Sequence, residues 1–258
     1  MKKVLFILLS VLIAVMMVFP AFAEENDTVT VNISTGEEVQ IVTDVKLKDA
    51  DGDGAITISD ALKLAHDSAY NGGSSAGYGT SDSEYGKSLT KLWGIENGGA
   101  YGYYVNNTAA VSLADTIKAG DHIYAFVYTD KTTWSDAYSF FDKYEITGKK
   151  GDTVTLTLSR CGFDESWNPV VTPTEGAEIV LDATPTGVKT DAEGKATFKL
   201  TKTGTVVISA VSGDYTLVPP ICLATVSSNS TLMIIIICAA VALIVIVAAV
   251  LLAKGKKK

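Results

Sequence analysis

Apolar and polar positions alternate early in the chain. Val29, Val31 and Ile33 fall on one side and Thr30 and Asn32 on the other, the two-residue period of a half-buried strand. Val39, Ile41, Val45 and Leu47 continue the strand pattern. The period then changes, because Leu62, Ala65 and Ala69 recur at helical spacing after Ile58, which predicts one helix of about three turns. From Tyr70 to Tyr144 lie ten of the eleven tyrosines among many glycines, a composition that reads as β-structure with exposed loops. Gly72–Gly77 reads as a flexible loop.

Past Tyr144 short strands stand between turn signals: Thr153–Leu158, Ala177–Leu181, Ala196–Leu200 and Thr205–Ala210, with Asp191-Ala192-Glu193-Gly194 as one turn. That spacing predicts an antiparallel sandwich. The polar stretch Thr147–Gly151 marks the boundary. The expected fold class is therefore an α+β N-terminal domain with one main helix, residues 24–145, followed by an all-β sandwich, residues 146–227.

The two ends add a location. Lys2 and Lys3 precede an apolar run from Val4 to Val18, and Ala21-Phe22-Ala23 precedes an acidic Glu24-Glu25, the layout of a cleaved secretory signal over residues 1–23. Residues 232–253 carry no charge. As a helix they would cover ~33 Å, enough for a bilayer core of ~30 Å. The basic tail 254–258 marks the cytoplasmic side. The expected location is the cell membrane, with the ectodomain outside.

Charge narrows the partners. Six of the 21 basic residues sit in the two terminal segments and none of the 29 acidic ones does, so the ectodomain carries 15 − 29 = −14. Such a surface repels phosphate backbones, which excludes nucleic acid and favours cations. Of the three cysteines, Cys238 lies in the apolar segment, while Cys161 and Cys222 are outside it. An exported pair predicts a disulfide that stabilises by roughly 4 kcal/mol on the chain-entropy model.

The strongest chemical motif is Asp49-Ala50-Asp51-Gly52-Asp53-Gly54-Ala55-Ile56-Thr57-Ile58-Ser59-Asp60. Carboxylates at loop positions 1, 3 and 5 converge on one hard cation, Gly54 allows the sharp turn, and the Ala55 carbonyl at position 7 adds an oxygen. Thr57 contributes directly or through water, and Asp60 closes the loop at position 12 with a shorter arm than glutamate. The expected cofactor is calcium. His66 and His122 are the only neutral-pH bases, and neither sits in a nucleophile or zinc motif, so the chain is expected not to be an enzyme.

The loop resembles an EF-hand, and more closely the loop-plus-helix calcium unit of dockerins, although it occurs once and a strand pattern leads into it. Leu92-Trp93-Gly94, Gly102-Tyr103-Tyr104-Val105-Asn106-Asn107 and Ile117–Phe126 form a series that resembles the transcobalamin-like C-terminal domain of bacterial surface proteins. That resemblance implies a binding fold, with corrinoid as one ligand class, and the calcium loop as an insertion before the helix. Trp93, Tyr101, Tyr103 and Tyr124 are the candidate ligand surface, with core packing as their other reading. Thr190–Phe198 and Gly204–Ala210 resemble bacterial Ig-like repeats, which implies a spacer. The expected function is a calcium-stabilised surface binding or adhesion protein whose partner is a glycan, a protein or a corrinoid; a carbohydrate-active enzyme is the further alternative.

Overall fold

The computed structural model describes residues 27–228 apart from 165 and 167. The expected signal, membrane span and basic tail lie outside the described residues, among which no helix is long and apolar enough to cross a membrane.

The first unit is α+β. Its strands are β1 (Thr28–Thr35), β2 (Glu38–Lys46), β3 (Gly79–Ser83), β4 (Gly86–Lys91), β5 (Tyr101–Val105), β6 (Thr108–Ala109) and β7 (His122–Val127), with helices α1 (Ile58–Ala69) and α2 (Gly73–Gly77). The main sheet has the order β2-β1-β7-β5-β6, and β3 and β4 form a separate hairpin. β1 and β7 pair in parallel at its centre. β5 and β6 join through Asn106 and Asn107, both at positive φ, the left-handed pair that a two-residue hairpin turn of matching twist requires. The Gly72–Gly77 stretch is not the expected loop. It turns as α2 because Asp67 Oδ1 accepts the Ser74 N–H at 2.8 Å and Gly77 lies flat against the Tyr70 ring.

The second unit is a two-sheet sandwich built from β8 (Ala137–Phe141), β9 (Glu145–Lys149), β10 (Thr153–Phe163), β11 (Pro169–Pro173), β12 (Glu178–Leu181), β13 (Thr184–Lys189), β14 (Lys195–Lys199), β15 (Gly204–Val211), β16 (Leu217–Val218) and β17 (Cys222–Ser227). One sheet runs β11-β10-β8-β16 with β14 also on β10, and the other runs β13-β12-β15-β17-β9. Read as strands A to G, β8, β10 and β14 are A, B and E, facing β12, β15 and β17 as C, F and G. This is the strand order of an Ig-like sandwich. The stretch expected to be a linker is instead β9, an edge strand in parallel register with β17 from Glu145 to Lys149. Its polar residues belong to the exposed side of that strand. Because β8 pairs with β10, the changeover between units falls between Val127 and Ala137.

Strand parity sets what each face buries. Ile123, Ala125 and Val127 of β7 pack with Val29, Val31 and Ile33 of β1 and with Ile58, Leu62 and Ala65 of α1. Tyr124 and Phe126, on the other face, pack with Tyr138, Val218 and Ile221 of the sandwich. The sheet is thus covered on both sides, by the helix and by the second unit. Gly102 is required where it is, since a Cβ there would lie 2.2 Å from the Phe126 ring.

The expected disulfide is absent, and Cys161 and Cys222 are free thiols. Leu156 and Leu158 of β10 point into the sandwich core, so Cys161, at odd parity on the same unbroken strand, points away from it toward the inter-unit cluster. Cys222 is wholly buried inside the sandwich. Cys161 leaves the outer face of the β10 sheet, whereas Cys222, on β17 of the facing sheet, points into the sandwich between them, so the two thiols do not meet. Burial raises both thiols above the ordinary cysteine range, Cys222 to about 12.

Candidate functional site

The Asp-rich loop lies between β2 and α1, so the hairpin fixes its entry and the helix its exit. Gly52 and Gly54 take positive φ, 82° and 92°, where glycine alone is unstrained. Those turns aim N–H groups back at Asp49, whose Oδ1 accepts from Gly52 at 2.6 Å and whose Oδ2 accepts from Gly54 at 2.9 Å. These bonds hold the Asp49 carboxyl below the usual carboxylate range. Asp51 and Asp53 accept from the N–H groups of Asp53 and Ala55 two residues on. One carboxylate oxygen from each of Asp49, Asp51 and Asp53 lies within 4.8 Å of the others. Among the described residues one lysine is paired with the group, Lys87 Nζ at 3.1 Å from Asp51 Oδ2, and that bond raises the lysine above its ordinary value.

Asp60 and Thr57 sit differently. Asp60 is 1% exposed and stands outside the converging group. Its Oδ1 accepts from Ala50 N at 2.8 Å and Asp51 N at 3.2 Å, and its Oδ2 accepts from Thr57 N at 2.9 Å and Thr57 Oγ1 at 2.8 Å. It is the third residue of α1, and its reach back to Thr57 is the acidic half of a capping box. The short arm that the sequence marked as reaching poorly toward a cation ties the two ends of the loop together. The donors available to a hard cation are then the three outer carboxylates and the Ala55 carbonyl. Three anions this close repel one another, with one lysine to offset them, so an oxygen-seeking divalent cation fits the group.

The sheet divides the four aromatic candidates between its two sides. Tyr101 and Tyr103 of β5 face the helix side. Tyr101 is 8% exposed, and its hydroxyl donates toward Thr90 O and Ile95 O while accepting from Asn97 N. Trp93 packs on the same cluster, 5.1 Å from His66 and 5.2 Å from Tyr70 between ring centres. Tyr124 is on the opposite face in the inter-unit cluster, donating to Pro219 O. No common stacking face exists among them, and packing is what they do.

His66 is fully buried. Its Nδ1 lies 2.6 Å from the Leu62 carbonyl, which can only accept, so Nδ1 carries the proton and Nε2 accepts from Trp93 N–H at 3.0 Å. Burial lowers its pKa below the ordinary 6.5. The unfolded chain therefore takes up a proton before the folded one does, and the stability supplied by neutral His66 is present above about pH 6.5 and drains as pH falls below it. His122, half-buried against Tyr144, is lowered in the same direction by burial. Thermal melts should fall between pH 7.5 and 5, above the range where carboxylates titrate, and His66→Gln should flatten that dependence; a wild-type profile flat over this window would contradict it.

A feature that reading along the chain missed lies where the units meet. Tyr104 of β5 stacks on Tyr138 of β8 at 3.6 Å and 6°, beside a cleft of about 670 Å³. The signal was present but weak: Asp130 and Asp136 bracket the exposed Trp134, as carboxylates that organise a loop do.

No family model matches the chain, and no curated protein matches it. Solved structures that align with it include the teleost fish polymeric Ig receptor ectodomain, at 14% identity over 54% of this chain and 66% of that one, with a TM-score of 0.21. The N-terminal four Ig domains of Dscam1 isoform 4.44 align at 8% identity over 80% of this chain and 45% of theirs, with a TM-score of 0.23. Isoform 9.44 gives 8%, 81%, 45% and 0.21. The chain thus spans under two thirds of each of these chains, and at such scores the likeness carries no argument. The Ig-like description rests on strand order.

Proposed function

We propose that this chain is a calcium-stabilised binding or adhesion module of the cell surface, held to the membrane by residues 232–253, which binds its ligand without turning it over. One observation carries the calcium part: the carboxylates of Asp49, Asp51 and Asp53 converge within 4.8 Å at the start of the longest described helix. In this reading the cation is a structural staple. It holds the loop that orients α1, and α1 covers one face of the central sheet. An affinity of about 10⁻⁴–10⁻³ M, as in extracellular modules, would suffice outside a cell.

The sandwich supports a spacer role, since β17 ends at Ser227, just before the apolar segment that starts at residue 232. The first unit would then be the part carried away from the membrane. A corrinoid would find no common face on the four aromatic residues, since Trp93, Tyr101 and Tyr103 pack on the helix side of the sheet and Tyr124 on the other.

The test is a melt of the full-length chain in detergent, with chelator and with millimolar calcium. Millimolar calcium at about tenfold its dissociation constant stabilises by ~1.4 kcal/mol, so calcium should raise the melting temperature by a few degrees. Asp49→Ala and Asp53→Ala should remove that increment and leave the chelated melt near wild type. Identical wild-type melts in both buffers would sink the calcium reading.

A further inference from the structure

The inter-unit cleft has the make-up of a ligand site. Its floor is the stacked pair Tyr104 and Tyr138, fixed in place because Tyr138 belongs to the inter-unit core. Trp134 lines it, 49% exposed and edge-on to Tyr128 at 4.9 Å. Tyr215 lines it as well, 39% exposed, with the Arg160 guanidinium 4.1 Å from its ring centre and Arg160 Nη2 donating to its hydroxyl at 3.1 Å. A pocket of a few hundred Å³ at a junction of two units, walled by aromatics and supplied with a few polar groups, is the usual form of a small-ligand site.

Two details point past packing. Trp134 has φ 55°, a left-handed conformation that a bulky residue keeps only when its surroundings impose it. Here Asp130 imposes it by accepting from the N–H groups of Thr132 at 2.8 Å and Thr133 at 3.0 Å and from Ser135 Oγ at 2.7 Å. Asp136 anchors the loop's start by accepting from Thr129 N at 2.6 Å and Asp130 N at 3.0 Å. The fold thus maintains backbone strain to hold an indole in the cleft lining, where it buries little. The second detail is Arg160 Nε, an enclosed donor without a hydrogen-bond partner in the cleft wall, an arrangement that costs stability unless something else is gained.

The lining also selects a chemistry. Exposed rings in the lining suit a flat ligand with apolar C–H faces, and Thr108 and Arg160 of the same lining suit hydroxyls at its edge. The Asp136 carboxylate, though it lines the cleft, is already occupied by Thr129 and Asp130. An ectodomain of charge −14 disfavours polyanions at long range. We propose that this cleft binds a neutral oligosaccharide, with pyranose faces against Trp134 and Tyr215 and hydroxyls bonded to Arg160 and Thr108. The inference rests on the reading of the chain as a surface binding module, for which it names the ligand class and the site.

The experiment presents the full-length chain in detergent to an array of neutral and uronate-containing oligosaccharides, then titrates the strongest neutral binder by calorimetry. Neutral binders are expected. Trp134→Ala and Tyr215→Ala should each weaken binding tenfold or more with an unchanged melting temperature, and Tyr85→Ala, exposed in a distant hairpin, should bind as wild type. An array on which no neutral sugar binds, binding confined to uronates, or binding indifferent to both cleft variants would each overturn the proposal. A blank array beside calcium-dependent melts would remove the cleft alone; sugar binding beside calcium-indifferent melts would remove the staple alone.

Discussion

Asp60→Ala is expected to destabilise the protein by about 3–5 kcal/mol in chelator, where Asp49→Ala and Asp53→Ala cost little. The buried Asp60 carboxylate accepts three backbone N–H groups and one hydroxyl. Hydrogen bonds to a charged group contribute roughly 1.5–3 kcal/mol each, and removing the acceptor leaves enclosed donors unsatisfied. Asp49, by contrast, accepts from two glycine N–H groups at the loop surface, where water can replace it. The three variants therefore separate a folding role from a metal role by buffer alone. Melts in chelator in which all three match wild type would show that Asp60 does not organise the loop. If Asp60→Ala matched wild type in chelator but lost only the calcium increment, position 12 would be a ligand after all.

That contrast shows how far the chain can be read in advance. Spacing reveals local things: the alternation at Val29, Val31 and Ile33 became β1, the three-and-four pattern at Leu62 and Ala65 became the buried face of α1, and the Asp spacing became a converging loop. In each case the cause is local geometry, which period and turn chemistry encode. Whether a loop carboxylate faces a cation or its own backbone is decided by one methylene and by where the helix begins, and Asp60 lies on that margin.

What depends on which face of a strand meets which partner stayed hidden. Cys161 looked available to Cys222 because both lie outside the apolar segment, yet its parity relative to Leu156 and Leu158 turns it away. Tyr101 and Tyr124 looked like neighbours, and they are on adjacent strands, but on opposite faces of the sheet. One signal was legible in principle. Ile123-Tyr124-Ala125-Phe126-Val127 is apolar at every position, the mark of a strand buried on both sides, and it announced that something other than α1 covers the sheet. Nothing local says that the cover is β8, and so the cleft formed where they meet could not be inferred from the chain.

The contact between the units carries the second large effect. Tyr138 is 4% exposed, stacks on Tyr104, meets Tyr124 edge-on at 5.5 Å and 80°, and donates its hydroxyl to Asn107 Oδ1 at 2.9 Å. It comes from the sandwich, whereas these three partners come from the first unit, so its ring joins the two. Truncating a buried aromatic costs about 3–5 kcal/mol, and Tyr138→Ala should lose that much. Because the helix-side and sandwich cores do not include Tyr138, each should survive. Calorimetry should then show a wild-type transition that splits in two, with the first unit unfolding earlier because one face of its sheet has lost its cover. Tyr138→Phe keeps the ring and loses one hydrogen bond, so it should cost only about 1 kcal/mol and preserve a single transition. A Tyr138→Ala protein that still melts once, within about 1 kcal/mol of wild type, would mean that the coupling between the units does not run through Tyr138 and that its aromatic contacts are without consequence.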